Sequence, residues 1–223
     1  MKKTYHISLG SVIMLALLVG GLALFALYSW SRAAQINEAS TAIERNWLPS
    51  TQLLGQMEVD ALAYRVAAMQ HVLSLQEEDM RSYEAKMDSA LASLNQAQRR
   101  YEPLIISEEE QALYEAFEST WARHLEASRA ALALSSENQN REAVAVLRQR
   151  SQPLFDEASR DLEDLIALNV ETAISISRQG DDMLGEFQLT LIVALILFGA
   201  LLLLIFADLF GKTSQRPRAD HLP

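Results

Sequence analysis

Residues 80–101 read MRSYEAKMDSALASLNQAQRRY, with apolar positions at Met80, Tyr83, Met87, Ala90, Leu94, Ala97 and Tyr101. The steps alternate between three and four, the period of a helix face packed along another helix; nothing in the stretch alternates as a half-buried strand does. Toward the N-terminus, within Ser31 to Leu75, the same period runs through Leu54, Met57, Ala61, Tyr64, Ala68, His71 and Leu75. Polar, helix-disfavouring residues interrupt the pattern at 76–79, at Glu102-Pro103 and at 135–140. A third helix begins after Ser107, whose side chain can cap it with Glu110 three residues on, as in a capping box. Glu108, Glu109 and Glu110 complement the positive end of its dipole and read as a solvated helix start. Its seam is read as Leu113, Phe117, Trp121 and Leu132. A fourth helix begins near Arg141 and uses Val144, Leu147, Leu154, Ala158, Leu165 and Leu168, with no proline after Pro153 and with Gly180 and Gly185 as its flexible points. Four long helices with short connections predict an all-α, antiparallel up-down four-helix bundle.

Outside the bundle the apolar residues concentrate near the two ends. Ile7 to Tyr28 carries no charge over 22 residues and Leu189 to Ala207 none over 19, each close to the roughly 20 that span a bilayer core as a helix. The expected organisation is a cytoplasmic N-terminus at 1–6, a transmembrane helix at 7–28, the bundle at 29–186, a second transmembrane helix at 187–207 and a short cytoplasmic tail at 208–223. Lys2 and Lys3 before the first span, and Lys212, Arg216 and Arg218 after the second, put both ends on the cytoplasmic side of a bacterial inner membrane and the bulk of the chain in the periplasm. A cleaved leader is the rival reading of the first span, with Ser31-Arg32-Ala33 as a poor cleavage site; the apolar run exceeds the usual length of such a segment. Ala16 and Gly20 form a small-xxx-small pair compatible with helix contact in lipid. The middle, 29–186, holds 14 basic residues against 27 acidic ones, a net charge of −13, which argues against a nucleic-acid surface. The absence of cysteine fits an extracytoplasmic domain that needs no disulfides.

Three pieces of this pattern resemble the extracytoplasmic four-helix-bundle sensor domain of methyl-accepting chemotaxis receptors, which some histidine kinases and diguanylate cyclases also carry. They are Asn46-Trp47-Leu48-Pro49-Ser50; then Ser107-Glu108-Glu109-Glu110 with Leu113, Phe117 and Trp121; then Glu142-Ala143 with Phe155, Leu165 and Asn169. Their order and spacing carry the likeness, which covers about Ile7 to Phe206. It implies a sensory module, dimeric or paired with full-length chemoreceptors, that signals across the membrane. It also implies that anionic ligands such as amino acids and dicarboxylates are held where the first helix meets the fourth. In such receptors a relay domain and an output domain follow the second span, whereas Asp208 to Pro223 leaves 16 residues. The expectation is a stand-alone sensor that works with relatives, or a truncated receptor.

Chemistry is sparse in the sequence. There is no cysteine nucleophile, no glycine-rich phosphate loop and no His-Glu-x-x-His; no enzyme activity, no cofactor and no catalytic residue is expected. His6, His71, His124 and His221 are far apart in sequence, and only His71 and His124 could meet in a bundle core, as a metal or haem pair or as singly hydrogen-bonded core residues. For ligand binding Arg65 leads, because it borders the first seam and its guanidinium can fork onto a carboxylate. Arg148 follows on the fourth helix, where Arg150 and Arg160 are further cations. Asp161 completes the candidate set: a strict heptad from Leu154 to Leu168 puts it on the seam, free to pair with Arg65. The alternative is an edge position with Leu162 turned inward. Trp47 and Trp121 read as packing residues.

Overall fold

The computed structural model describes residues 9–211, so Ile7, the flanking charges Lys2, Lys3, Lys212, Arg216 and Arg218, and His6 and His221 lie outside the described residues. Every element in it is helical: α1 (Leu9–Ala42), a π-turn (Ile43–Trp47), α2 (Leu48–Leu73), α3 (Glu77–Tyr101), a 3-10 turn (Glu102–Leu104), α4 (Glu108–Ser136), α5 (Asn140–Val146), a second π-turn (Leu147–Ser151) and α6 (Gln152–Gly211). The chain reverses three times, at 74–76, 102–107 and 137–139, giving four long helices, two of them interrupted by a π-turn; the first reversal precedes the expected 76–79 because Glu77, Glu78 and Asp79 form the first turn of α3.

Both π-turns have the same cause. A proline lacks the N–H that would bond the carbonyl four residues back, and its ring clashes with that carbonyl. Pro49 faces Arg45 in this way and Pro153 faces Gln149, and both carbonyls belong to the π-turns. One extra residue per turn relieves the clash without ending the helix.

The compact bundle unit runs from Thr41 to Ile176. The seams of α2, α3 and α4 keep the alternation of three and four, and polar residues occupy several of the seam positions. On α2 the buried row follows the sequence reading from Leu54 to His71, while Leu75 is exposed in the connection. On α4 the buried row is Glu110, Tyr114, Phe117, Trp121, His124, Ser128, Ala131 and Ser135, one register from the expected Leu113 and Leu132, which lie partly buried against the core. On the fourth helix it is Ala143, Leu147, Ser151, Phe155, Ala158, Leu162, Leu165 and Asn169. The π-turn inserts a residue, so steps of four follow one another from Ala143 to Phe155, leaving Val144, Leu154 and Leu168 beside the seam. Ser107 caps α4 as expected, its Oγ accepting from the Glu110 N–H at 3.1 Å. At the other end of α4, Asn138 takes a left-handed φ of 62° while the Gln139 and Asn138 N–H groups bond the carbonyls of Leu134 and Ser135, a Schellman closure.

The second unit comprises residues up to Ser40 and those from Ser177. Here α1 and the later part of α6 lie side by side: Phe25 and Phe198 meet edge-on at 6.1 Å, and Gly21 lets Phe198 approach so closely that an added Cβ would stand 2.9 Å from its ring. Gly20 faces open space, so the Ala16–Gly20 pair is not what joins these two helices. Both helices are long and apolar enough to cross a membrane, and the apolar window of each is only 6% buried. The core helix of a soluble protein would bury that surface; an apolar face so large and so exposed needs a non-aqueous surround.

Candidate functional site

The aromatic side chains of α4 form a column through the bundle. Tyr101 and Tyr114 lie at 5.4 Å, Tyr114 and Phe117 at 6.5 Å, Phe117 and Trp121 at 6.4 Å, and Trp121 stacks on His124 at 4.9 Å. Tyr64 of α2 closes edge-on against Trp121, and Phe155 of α6 against His124. Trp121 is therefore a packing residue, as expected, and its indole N–H is buried without a partner among the described residues. Trp47 is likewise buried.

At one end of the column a small pocket opens, lined by apolar side chains together with His124, Ser128 and Ser151. His124 is buried, and its Nδ1 lies 3.0 Å from the carbonyl oxygen of Ser151. A carbonyl only accepts, so the proton sits on Nδ1 and Nε2 is left as an acceptor, 3.5 Å from Ser128 Oγ. Ser128 and Ser151 hydroxyls bond each other at 2.9 Å. Burial lowers the His124 pKa below the ordinary histidine value, and the Arg65 charge adds to this against the pull of the Ser151 carbonyl, so the pocket floor is neutral at physiological pH. Arg65 and Arg148 both line this pocket, with Ala68, Met69 and Gln152. The sequence-predicted arginines are thus brought together, with the π-turn at Leu147–Ser151 forming one wall. The cavity is small, about 20 Å³, room for a single water.

Arg65 is not free in this state. Its Cζ lies 4.4 Å from the Phe155 ring centroid, and Nη1 lies 3.8 Å from Oδ1 of Asp156, which is half exposed. Asp161 does not join it. Leu162 takes the core position, and Asp161 stands partly buried beside Thr120, with burial raising its pKa and the Thr120 hydroxyl lowering it. The strict heptad fails because the seam restarts one residue late after the π-turn. Arg160 is exposed and bonds the Asp156 carbonyl; Arg150 is exposed. The histidines do not meet: His71 turns Nε2 toward Glu84 at 3.2 Å, while His124 is held by Ser151. Among the described residues no group of three or more histidine, aspartate or glutamate side chains converges on a metal position.

At the other end of the column, Glu110 corrects the reading of the acidic run. Glu108 and Glu109 are exposed, but Glu110 is 1% exposed. Its Oε1 accepts from the Tyr101 hydroxyl at 2.7 Å and from Asn169 Nδ2 at 3.0 Å, and its Oε2 from the Ile106 N–H at 3.2 Å. Burial, then the carboxylate, push the Tyr101 pKa far up, so the phenol remains a donor. The signal for this burial was spacing: Glu110 lies four residues before Tyr114 on the seam.

An all-helical four-helix bundle joined to two helices apolar enough to cross a membrane defines the class of the molecule. Residues 7–184 match the family described as a four helix bundle sensory module for signal transduction, and the chain belongs to that family. Among curated proteins there is no match.

Proposed function

We propose that this chain is a chemoreceptor-like sensory module, multi-pass in a bacterial inner membrane with its bundle in the periplasm, that takes a small anion between Arg65 and Arg148 and passes the change along α6. The carrying observation is the convergence of two arginines, from helices read as separate in the sequence, on one pocket with a neutral polar floor. A guanidinium forks onto a carboxylate, and Asp156, distant and half exposed, is a partner that a ligand carboxylate displaces. A cavity of about 20 Å³ admits an amino acid only if α2 and the Leu147–Ser151 turn part. Binding is thereby tied to movement of the fourth helix, and shifts of about 1–2 Å between packed helices are the usual size of such a switch. The ligand is bound and released unchanged, so the module is not an enzyme.

The reading includes a homodimer, or pairing with full-length chemoreceptors, along the outer face of α2. Val59, Leu62, Val66, Met69 and Leu73 repeat there at steps of four and three, and Val59, Leu62, Val66 and Leu73 are each at least half exposed. That face equally favours a second reading, an adaptor that recognises a partner protein and has no ligand. Titration calorimetry of the full chain in lipid nanodiscs with aspartate, glutamate, succinate and malate separates the two. The sensor reading expects one of them to bind, with Arg65→Ala and Arg148→Ala each weakening binding by about tenfold or more, as loss of a charge-assisted pair worth roughly 1.5–3 kcal/mol requires. Absence of heat from all four, with association along α2 intact, leaves the adaptor. A reporter active only in the periplasm is expected to work at Asn138 and fail after Pro223; activity at both sites would contradict the topology.

A further inference from the structure

The three pieces of sequence that carry the family likeness meet, in part, at one place in the bundle. Asn46, in the π-turn of the first helix, donates through Nδ2 to the Leu104 carbonyl at 2.8 Å. Asn169 of α6 donates to Glu110 at 3.0 Å. Glu110 in turn holds the Ile106 N–H and the Tyr101 hydroxyl, and Ser107 caps its helix. The first helix is therefore fastened directly to the connection 102–107, and the fourth is fastened to it through Glu110. The fastening uses a buried carboxylate with no cation partner among the described residues, an arrangement that contributes little stability relative to an apolar core.

We propose that this connection, with Glu110 behind it, is a latch that sets the lengthwise register of α6 against the first helix, and that the Asn169–Glu110 bond is the arm that opens when α6 moves. The proposal rests on the reading that α6 is displaced in signalling. A shift along the helix at the upper end of the usual 1–2 Å range, about 2 Å, lengthens a 3.0 Å bond that runs across to α4 to roughly 3.6 Å, beyond hydrogen-bonding distance. The opening is tolerable on both sides. Asn169 Nδ2 keeps the carbonyl of Leu165, at 3.0 Å on its own helix, and Glu110 keeps Tyr101 and Ile106. The bond is thus a breakable link between two groups that each retain a partner, whereas the Asn46 arm stays with the first helix.

The test uses the full chain in lipid nanodiscs, and its lack of cysteine allows a disulfide reporter. A Cβ added at Gly180 stands 3.9 Å from Ala39 Cβ, near the roughly 3.8 Å mean of a disulfide, so the Ala39→Cys, Gly180→Cys pair reads the register of α6 against α1 through its oxidation rate. Asn169→Leu and Glu110→Gln are expected to change that rate severalfold. Asn140→Leu, which removes the bond to the Ser74 carbonyl at the opposite end of the bundle, is expected to leave it unchanged. Melting of each variant is followed alongside, and Glu110→Gln, which keeps the shape of the side chain, decides the matter if Asn169→Leu fails to fold. Equal rates in the parent, Asn169→Leu and Glu110→Gln overturn the latch. If one of the four anions still alters the rate in that case, displacement of α6 stands without it. An equal change in Asn140→Leu also overturns the latch, since it marks general loosening.

Discussion

The guanidinium of Arg65 lies over the ring of Phe155, 4.4 Å from its centroid, and reaches Asp156 at 3.8 Å. One side chain of α2 thereby touches two consecutive residues of α6 beside the pocket that Arg65 lines. The ring contact is worth about 0.5–1 kcal/mol at a partly exposed site, and the ion pair, screened by solvent, adds little.

Arg65→Ala is accordingly expected to lower stability by only about 1 kcal/mol, including loss of the stem that covers Phe155, while weakening anion binding by about tenfold or more. Asp156→Asn removes the competing carboxylate and is expected to raise anion affinity without a measurable change in melting. Thermal melting and calorimetry on the same preparations check both. A large loss of stability in Arg65→Ala would make the residue structural and remove the basis for the site.

Burial sets the pH response of His124. Its pKa in the folded chain lies below the ordinary value of 6.5, so below that pH the unfolded chain takes up a proton that the folded chain refuses. The stability that His124 contributes is complete above 6.5 and is lost as pH falls through the folded pKa. Asp161 acts in the opposite sense, since its raised pKa lets the folded chain take a proton first and gain stability as pH falls toward 3.8. Comparison with His124→Asn isolates the first effect: the difference in melting temperature between parent and variant is expected to be constant above neutrality and to narrow below pH 6.5. A difference independent of pH would mean that His124 is not held neutral by burial.

Proline is accommodated in these helices only where a π-turn precedes it. Ile174 has no such turn, lying inside the unbroken α6 (Gln152–Gly211). Ile174→Pro is expected to destabilise that helix by about 3 kcal/mol or more, whereas Pro153→Ala changes stability by at most about 1 kcal/mol, a surface-scale effect. Circular dichroism during thermal melting reads both. Equal melting of Ile174→Pro and the parent would rule out a continuous helix from the bundle to the apolar segment.

Association along α2 has a periodic signature. Single cysteines at Val59, Leu62, Val66 and Leu73 are expected to form disulfides between chains in membranes, and those at Glu58, Ala63 and Gln70, on the flanks of the same face, much more slowly. A uniform rate along the helix, or none, would count against an interface there.

The bundle was legible because packing leaves a period in the sequence. The α3 seam from Met80 to Tyr101, the cap at Ser107 and the second and third breaks are local patterns that fall at the residues expected; the first break comes earlier, at 74–76, because Glu77, Glu78 and Asp79 open α3. The π-turns were not read, although Pro49 and Pro153 inside otherwise unbroken helical patterns were their signal. Missing the second of them displaced the fourth seam to Leu154 and Leu168; of the two readings of Asp161, the strict heptad fails and the edge position with Leu162 turned inward holds. The polar floor of the pocket was hidden differently. His124, Ser128 and Ser151 occupy seam positions, and a search for apolar residues passes over polar ones. Glu110 vanished into a run of three glutamates, of which only its spacing from Tyr114 and Phe117 marked it as buried. Arg65 and Arg148 were legible as cations beside a seam, but their meeting depends on the register that the π-turn sets.

A sensor differs from an adaptor in that an anion at Arg65 and Arg148 moves α6. The most direct measurement is the oxidation rate of the Ala39→Cys, Gly180→Cys pair in nanodiscs, with and without aspartate, glutamate, succinate and malate, in the parent and in Arg65→Ala. At least one of these anions is expected to change the rate in the parent, and none in Arg65→Ala. An anion that binds by calorimetry yet leaves the rate untouched, or one that changes it equally in Arg65→Ala, would contradict the sensor reading.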